Sequence, residues 1–359
     1  MRKYQILSIL LTLQTLAFSQ NMNNIQMPQI LNENARTTMR IPDILGYKTL
    51  KCDFHMHTVF SDGIVWPTVR VEEAWQEGLD AIAITDHIEK NPSKKFVGGD
   101  DNSAYEIALP LAKEKDIILI HAGEITRGMP PGHFNALFID DTQKLDVANW
   151  HDAFAEAKKQ GAFIMWNHPG WKAQQPDSCR WWPEHTELYD NGMLHAVEVF
   201  NEAEWYPIAL NWCIEKNLAP IANSDIHGIT AGMYNLGEYH RPLTLVFAKD
   251  RSEEALKEAL FAKRTVAWFG NNLAGTEEFL AAIFKASVHI ELMSKSEKGE
   301  KFLLRNTSDV PVLLASAEMK FTLPANSETF VTLKKEDNMF SVENFFIKGT
   351  ENLKITISQ

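Results

Sequence analysis

The chain has 359 residues, 45% hydrophobic and 23% charged, a make-up that fits a folded globular protein and excludes a disordered or low-complexity one. Its 47 Asp and Glu outnumber 35 Lys and Arg, so the formal net charge is −12 and a broad cationic surface for nucleic acid or anionic lipid is excluded. Twelve histidines stand beside only three cysteines, too few for a disulfide scaffold or a four-cysteine zinc site.

Arg2 and Lys3 precede an apolar run from Ile6 to Leu16, and Ala17-Phe18-Ser19 follows. Basic, apolar, then small-x-small is the pattern of a secretory signal peptide over residues 1–19, with an uncleaved anchor as the alternative. The run is too short to span a bilayer. Export to the periplasm or beyond is therefore expected, and loss of two cations takes the charge from −12 to −14. Residues 20–46, rich in Asn and Gln, read as a leader. In an oxidising compartment Cys52, Cys179 and Cys213 leave at least one thiol unpaired, because their number is odd.

From Leu50 to Phe269 short apolar runs alternate with amphipathic segments. Strands are predicted at 50–55, 80–85, 117–122, 133–139, 162–166, 195–200, 218–222 and 243–248. Helices are predicted at 69–78, 103–115, 145–160, 205–216 and 252–262. Such alternation implies a parallel sheet with helical crossovers, and seven or eight repeats favour a closed β/α barrel over residues 47–280. Over 285–359 the pattern becomes alternating strands at 288–292, 301–305, 311–315, 328–333 and 353–358, a small all-β domain with no catalytic signature.

The histidines fall where strands end. His55 and His57 lie two apart at the end of the first strand and share a face, with Asp62 following as a hard oxygen donor. A His-x-His alone arises by chance about as often as by design. The second strand ends in Asp86-His87, with a helix cap as the lesser alternative for Asp86. The third run leads to Glu124. Later strands end in Asn167-His168 and in Asp225-Ile226-His227. Five strand ends in register, each bearing a ligand type, are not explained by packing, since buried charges are costly. His133 precedes its strand, and geometry alone gives it no role.

These residues lie in HMHTVFSDG, TDH, HAGEIT, GHFNAL, NHP and SDIH, in that order from about 52 to 230. The set resembles the PHP family, named for polymerase and histidinol phosphatase domains. The segment from His57 to Glu89 is similar to secreted bacterial phosphodiesterases of the Sb-PDE type. The resemblance implies an α/β fold, a distorted (β/α)7 barrel, with up to three divalent metals that hydrolyse phosphate esters. It implies nine ligands. His55 and His57 would hold one ion with Glu124 and Asp225. Asp62, His87 and His227 would serve another, and His133 and His168 would complete the third. Asp62 is the least secure of these, because some relatives carry histidine near that position.

Metal ions lower the pKa of bound water from ~15.7 to about 7, so a metal-held hydroxide is the expected nucleophile. No activated serine or cysteine is needed. Nitrogen and oxygen donors without thiolate suit Mn, Fe or Zn, and the resemblance leans to Mn or Zn. Arg127 is placed to grip a phosphate oxygen, with an ordinary loop arginine as the equal alternative. Asn201 and Glu198 end a strand and could touch substrate. Asp86 could orient a ligand from behind. Trp66, Trp166, Trp171, Trp181 and Trp182 could wall an organic ester group. His121 reads as a core histidine. The expected activity is an exported phosphodiesterase acting on a small-molecule ester, without macromolecular nucleic acid or membrane insertion as partner. The alternatives are a phosphomonoesterase of the same fold or a non-catalytic metal- or glycan-binding protein.

Overall fold

A computed structural model describes Met27 and residues 35–297, 299–334 and 338–358. The expected signal peptide and the leader as far as residue 34, Met27 excepted, lie outside the described residues. By its contacts the chain divides into Met1–Ala35 and Arg36–Gln359. The second unit is treated below. Within it the end of the leader is packed: Ile44 is buried, and Thr37 N donates to Gln76 O at 2.8 Å.

In chain order the elements are β1 (Lys48–Asp53), α1 (Pro67–Gln76), β2 (Ala81–Ala83), α2 (Ser103–Glu114), β3 (Ile118–Ile120), β4 (Ala122–Thr126), β5 (His133–Leu137), α3 (Trp150–Lys159), β6 (Phe163–Trp166) and α4 (Pro183–Asp190). There follow β7 (Ala196–Asn201), β8 (Glu204–Trp205), α5 (Pro207–Lys216), β9 (Ala219–Asn223), α6 (Thr230–Met233), β10 (Leu243–Ala248), α7 (Glu253–Phe261), β11 (Thr265–Phe269), β12 (Asn272–Gly275) and α8 (Glu277–Ser287). The last stretch holds β13 (Val288–Ser296), β14 (Gly299–Asn306), β15 (Val312–Ala315), β16 (Lys320–Leu323), β17 (Ser327–Leu333), β18 (Met339–Lys348) and β19 (Glu351–Thr356).

Local chemistry accounts for many helix ends. Proline occupies the first position of α1, α4 and α5, where its missing N–H costs nothing. Asn149 caps α3 and Ser252 caps α7, each accepting a backbone N–H. Asn217 closes α5 in the left-handed conformation. Strands β1–β12 are short and mostly buried, whereas the C-terminal strands alternate buried and exposed residues, as a sheet with one solvated face does.

The strands form two arcs and a small sheet. One arc runs β16-β15-β18-β12-β11-β10-β1-β2-β3, and the other runs β4-β5-β6-β7-β8 with β9 beside β7. The expectation of uniformly parallel strands is corrected: β1–β10, β4–β5 and β5–β6 are antiparallel, whereas β1–β2, β2–β3, β6–β7 and β7–β9 are parallel. The run predicted as one strand at 117–122 divides at His121 into β3 and the start of β4, which belong to different arcs. A two-residue bridge, His87 with Glu124, joins the arcs, and a second, Met56 with Ile226, joins them again. Both bridges lie at the functional end. The C-terminal strands share the first arc's ladder through parallel pairing of Leu273 with Phe345. The apolar stripe of α8, with Leu280, Ile283 and Phe284 buried, packs among them.

Candidate metal centre

The two arcs meet where the ligand-type residues lie. Beyond β1 the chain stays extended through His55, Met56 and His57, and Met56 bridges Ile226. Alternation then turns both histidines towards Asp225 and His227. The register is fixed by Asp225 N to His55 O (2.8 Å) and His57 N to Ile226 O (3.0 Å). A tight turn brings Asp62 back. Only glycine allows it, since a Cβ on Gly63 would lie 2.6 Å from the His57 carbonyl carbon. Glu124 sits mid-strand in β4, and His133 opens β5 opposite Thr126. His168 follows β6.

All nine expected residues converge. His55 and His57 Nε2 lie 3.1 and 2.9 Å from Asp225 Oδ1, and 3.7 and 3.6 Å from Glu124 Oε2. His87 and His227 Nε2 lie 3.4 and 3.1 Å from Asp62 Oδ1. His133 Nδ1 and His168 Nε2 lie 3.0 and 3.8 Å from Glu124 Oε1. Glu124 therefore faces the first group with one oxygen and the third with the other. Donor sets also cross these groups: His57 joins Asp62, His87 and His227, and His87 joins Glu124 and His133.

The donors fit a cation. His55 Nδ1 lies 2.9 Å from Glu198 Oε1. A carboxylate only accepts, so Nδ1 carries the proton and Nε2 presents a lone pair. That nitrogen faces the carboxylate oxygens of Asp225 and Glu124, an arrangement that calls for a positive charge there, either a bound cation or a second proton on the imidazole. His55 Nε2, Asp62 Oδ1, Glu124 Oε2 and His133 Nδ1 are all buried without a hydrogen-bond partner. Four such orphans in one place mark a missing counter-charge.

Titration directions agree. Burial opposes charge on His55, but Asp225, Glu198 and Glu124 outweigh it and hold the imidazole well above its usual value. Burial, with the neighbouring His87, drives His57 down to about 3, and burial with His133 lowers His168. Glu124 is buried, yet His87, His133 and His55 hold it well below the usual range. For Asp225, too, burial is overcome, chiefly by His55 and His57. Burial of Asp62 is overcome by His227 and Lys90, and its carboxyl stays ionised.

A layer of buried side chains holds these donors. Glu198, fully buried in β7, accepts from His55 Nδ1 and Asn223 Nδ2 on one oxygen, and from His168 N (2.6 Å) and Asn201 Nδ2 on the other. It supports ligands from behind, which corrects the expectation that it meets substrate. Asp86 accepts from Thr58 N, Thr58 Oγ1 and Ser61 Oγ, and Ser61 Oγ lies 3.3 Å from His57 Nδ1. Its placing behind the site is as read from the sequence. Asn167 donates to Glu124 Oε1 at 3.0 Å. Arg70 of α1, fully buried, donates to the carbonyls of His57, Ile226 and Gly228 and pairs with Glu73. One guanidinium thus ties together the two loops that carry His57, Asp225 and His227.

The site opens into a cavity of about 270 Å³. Besides six of the donors, its wall comprises Lys90, Trp171, Asn201, Glu202, Ala203 and Glu204. Asn201, expected to touch substrate, lines this wall. Arg127 is a correction: its guanidinium is held by the Val147 carbonyl at 2.6 Å and by Glu89 at 2.8 Å, and it does not line the cavity. Lys90, paired with Asp62, is the wall's cation instead. It lies three residues past His87, and that spacing was the available signal. Of the tryptophans only Trp171 lines the cavity; Trp166 is buried against Trp212 and His185. His121 stacks on Tyr105 away from the site. His168, Glu202 and Asp225 hold left-handed backbones, with φ of 28°, 48° and 49°. Such conformations cost about 1–3 kcal/mol each and collect at functional sites.

Mixed sheets whose ends gather six histidines and three carboxylates around shared oxygens define a metal-site protein of the nitrogen and oxygen donor type. No protein-family model matches the chain, and no curated protein matches it. Among solved structures it is similar to a two-domain protein from Bacteroides vulgatus containing a predicted PHP-like metal-dependent phosphoesterase. Identity is 43%, coverage 91% of this chain and 100% of that one, and the TM-score 0.88. The chain belongs to that PHP-like family. A provisionally assigned metal-dependent phosphoesterase from Bifidobacterium adolescentis (18% identity, 49% of this chain and 87% of that one, TM-score 0.39) is too distant to carry argument. An amidohydrolase from Chromobacterium violaceum (14% identity, 49% and 87%, TM-score 0.38) is equally so.

Proposed function

We propose that the chain is a metal-dependent phosphoesterase, exported from the cell, that hydrolyses small phosphodiesters. The observation that carries this reading is the convergence of four orphaned donor atoms within a nine-residue histidine and carboxylate cluster. On this reading His55, His57, Glu124 and Asp225 hold one divalent ion, Asp62, His87 and His227 a second, and His133, His168 and Glu124 a third; the donor set suits Mn, Fe or Zn, and the family resemblance leans to Mn or Zn. Divalent ions there supply Lewis acidity that acidifies bound water and stabilises charge on phosphoryl oxygens. The chain's own part is orientation. Glu198 fixes the His55 tautomer, Asp86 and Ser61 hold His57, and Lys90 sets a positive charge at the mouth. We read the two arcs as halves of a distorted barrel, and residues 1–19 as the export signal.

The test is turnover of bis(p-nitrophenyl) phosphate by protein reconstituted with Mn or Zn, beside p-nitrophenyl phosphate. Diester turnover that exceeds monoester turnover is expected. No turnover of either with any divalent ion would refute the reading, and a monoester preference would reassign it to a phosphomonoesterase.

A further inference from the structure

The loops that carry Asp62 and His227 also present an apolar rim. Ile64 is 75% exposed, Ile229 55%, Trp66 45% and Met233 43%. These side chains are not scattered. Ile64 N donates to His227 O at 2.9 Å, and Ile64 Cδ1 lies 3.9 Å from where a Cβ on Gly228 would stand. Ile64 therefore lies over the backbone just past His227. Ile229 and Met233 are four apart across the turn of α6, which puts them on one side. Ile229 in turn covers Gly232, whose Cβ position is 3.1 Å from its Cγ1. Trp66, two residues past Ile64, packs its ring 5.6 Å from Phe60.

Exposed isoleucines singly are unremarkable, but a contiguous apolar group beside a polar cavity marks a contact surface. Two of the loops' own residues, Asp62 and His227, line the cavity. Ile64 and Ile229 each lie two residues past a lining residue, so they are the nearest apolar groups to a substituent that leaves the cavity by Asp62 and His227. Elsewhere the wall offers Lys90, Asn201, Glu202 and Glu204, which would desolvate at a cost against hydrocarbon; Trp171 and the small Ala203 are the exceptions.

We propose that this rim binds the apolar organic substituent of the phosphate ester, so that the preferred substrate is an amphiphilic small ester, a charged phosphoryl group bearing a hydrocarbon chain or aryl group. The proposal rests on the phosphoesterase reading above. It is tested with methyl p-nitrophenyl phosphate and octyl p-nitrophenyl phosphate, both as monomers, on metal-reconstituted protein. Each buried methylene is worth about a fourfold gain, so burial of two or more gives the octyl ester at least about a tenfold advantage in kcat/KM. In the double variant Ile64→Ser/Ile229→Ser the octyl-to-methyl ratio is expected to fall to about threefold or less. Equal kcat/KM in the wild type, or an unchanged ratio in the variant, overturns the proposal.

If neither ester turns over, the phosphoesterase reading fails, and calorimetry with octylphosphonate and methylphosphonate decides the rim by itself. Tighter octyl binding by the wild type but not by the variant upholds it, and equal binding overturns it. Cosedimentation with neutral phosphatidylcholine vesicles is the last arm. Rim-dependent vesicle binding with a flat octyl-to-methyl ratio would make the occupant a bilayer surface and overturn the small-ester proposal.

Discussion

Replacing Glu198 by Gln probes the metal centre without touching a ligand. The carboxylate accepts four hydrogen bonds: 2.9 Å from His55 Nδ1, 2.8 Å from Asn223, 2.6 Å from His168 N and 2.9 Å from Asn201. A glutamine must turn its NH2 to one pair. Turned towards His168 N and Asn201, it meets a backbone N–H that cannot become an acceptor, and a buried donor is stranded at about 1–3 kcal/mol. Turned towards His55, it is tolerated only if the imidazole shifts its proton to Nε2, which removes the lone pair that faces Asp225 and Glu124. Either way ligation by His55 or His168 weakens. Loss of such a partner lowers metal affinity about 10- to 100-fold, or roughly 1.4–2.7 kcal/mol. The assay is calorimetric titration of chelator-stripped protein with Mn or Zn, with circular dichroism to show that the variant is folded. Wild-type affinity in folded Glu198→Gln would refute the claim that this carboxylate sets the His55 tautomer.

Arg70→Met should strand the buried carbonyls of His57, Ile226 and Gly228, at about 3 kcal/mol or more in total, and Arg70→Lys should recover part of this. An unmoved denaturation midpoint for the methionine variant would show that the clamp is idle. Chelation should lower thermal stability, since ions at about 100-fold over Kd add roughly 2.7 kcal/mol each, and a melting curve indifferent to EDTA contradicts the site. His185 is fully buried between Trp182 N and the Pro131 carbonyl, and burial pushes it down to about 4. Its folded value lies below its unfolded value near 6.5, so its stabilisation is complete above about pH 6.5 and is lost as pH falls towards 4. The loss is roughly 2–4 kcal/mol. Across that window the stability gap between wild type and His185→Gln should narrow; a gap that stays constant would place the acid sensitivity elsewhere.

The periodicity of the chain was a sound guide to element positions where each run was bounded by turns. β10 coincides with the predicted 243–248, and α2 and α7 differ from their expected limits by a residue. It was a poor guide to direction. Nothing in Ile117–Glu124 marks the change of arc at His121, because a buried apolar run reads alike in parallel and antiparallel pairing. Periodicity does not mark 265–275 and 277–287, whose apolar residues follow closely on preceding runs, or 183–190, in which Leu188 is the one aliphatic residue. The predicted C-terminal strands omitted β16 and β18. β18 alternates weakly and is buried through pairing with β12, a contact from more than seventy residues away.

Ligand types at strand ends were legible because chemistry restricts them to a few residues. The groups that make them a site were not, because their meaning lies in partners distant along the chain. Glu198 stands between Val197 and Val199 in an ordinary strand, and only the fold brings His55 to it across 143 residues. Arg70 reads as an amphipathic helix residue until its guanidinium is found against carbonyls near position 226. Arg127 shows the converse. It lies three residues past Glu124, but Glu89 and the Val147 carbonyl claim its charge before any phosphate could. Glu198 also revises the electrostatics. With Asp62, Glu124, Asp225 and Asp86 it makes five buried or half-buried carboxylates at the cluster or directly behind it, against one cation, Lys90. These groups sum to −4, so two divalent ions would neutralise the site and the three proposed above would leave it at about +2. An anionic ester then gains less from net charge than from donors held in place, which is why supports such as Glu198 and Arg70 bear on the chemistry as directly as the ligands do.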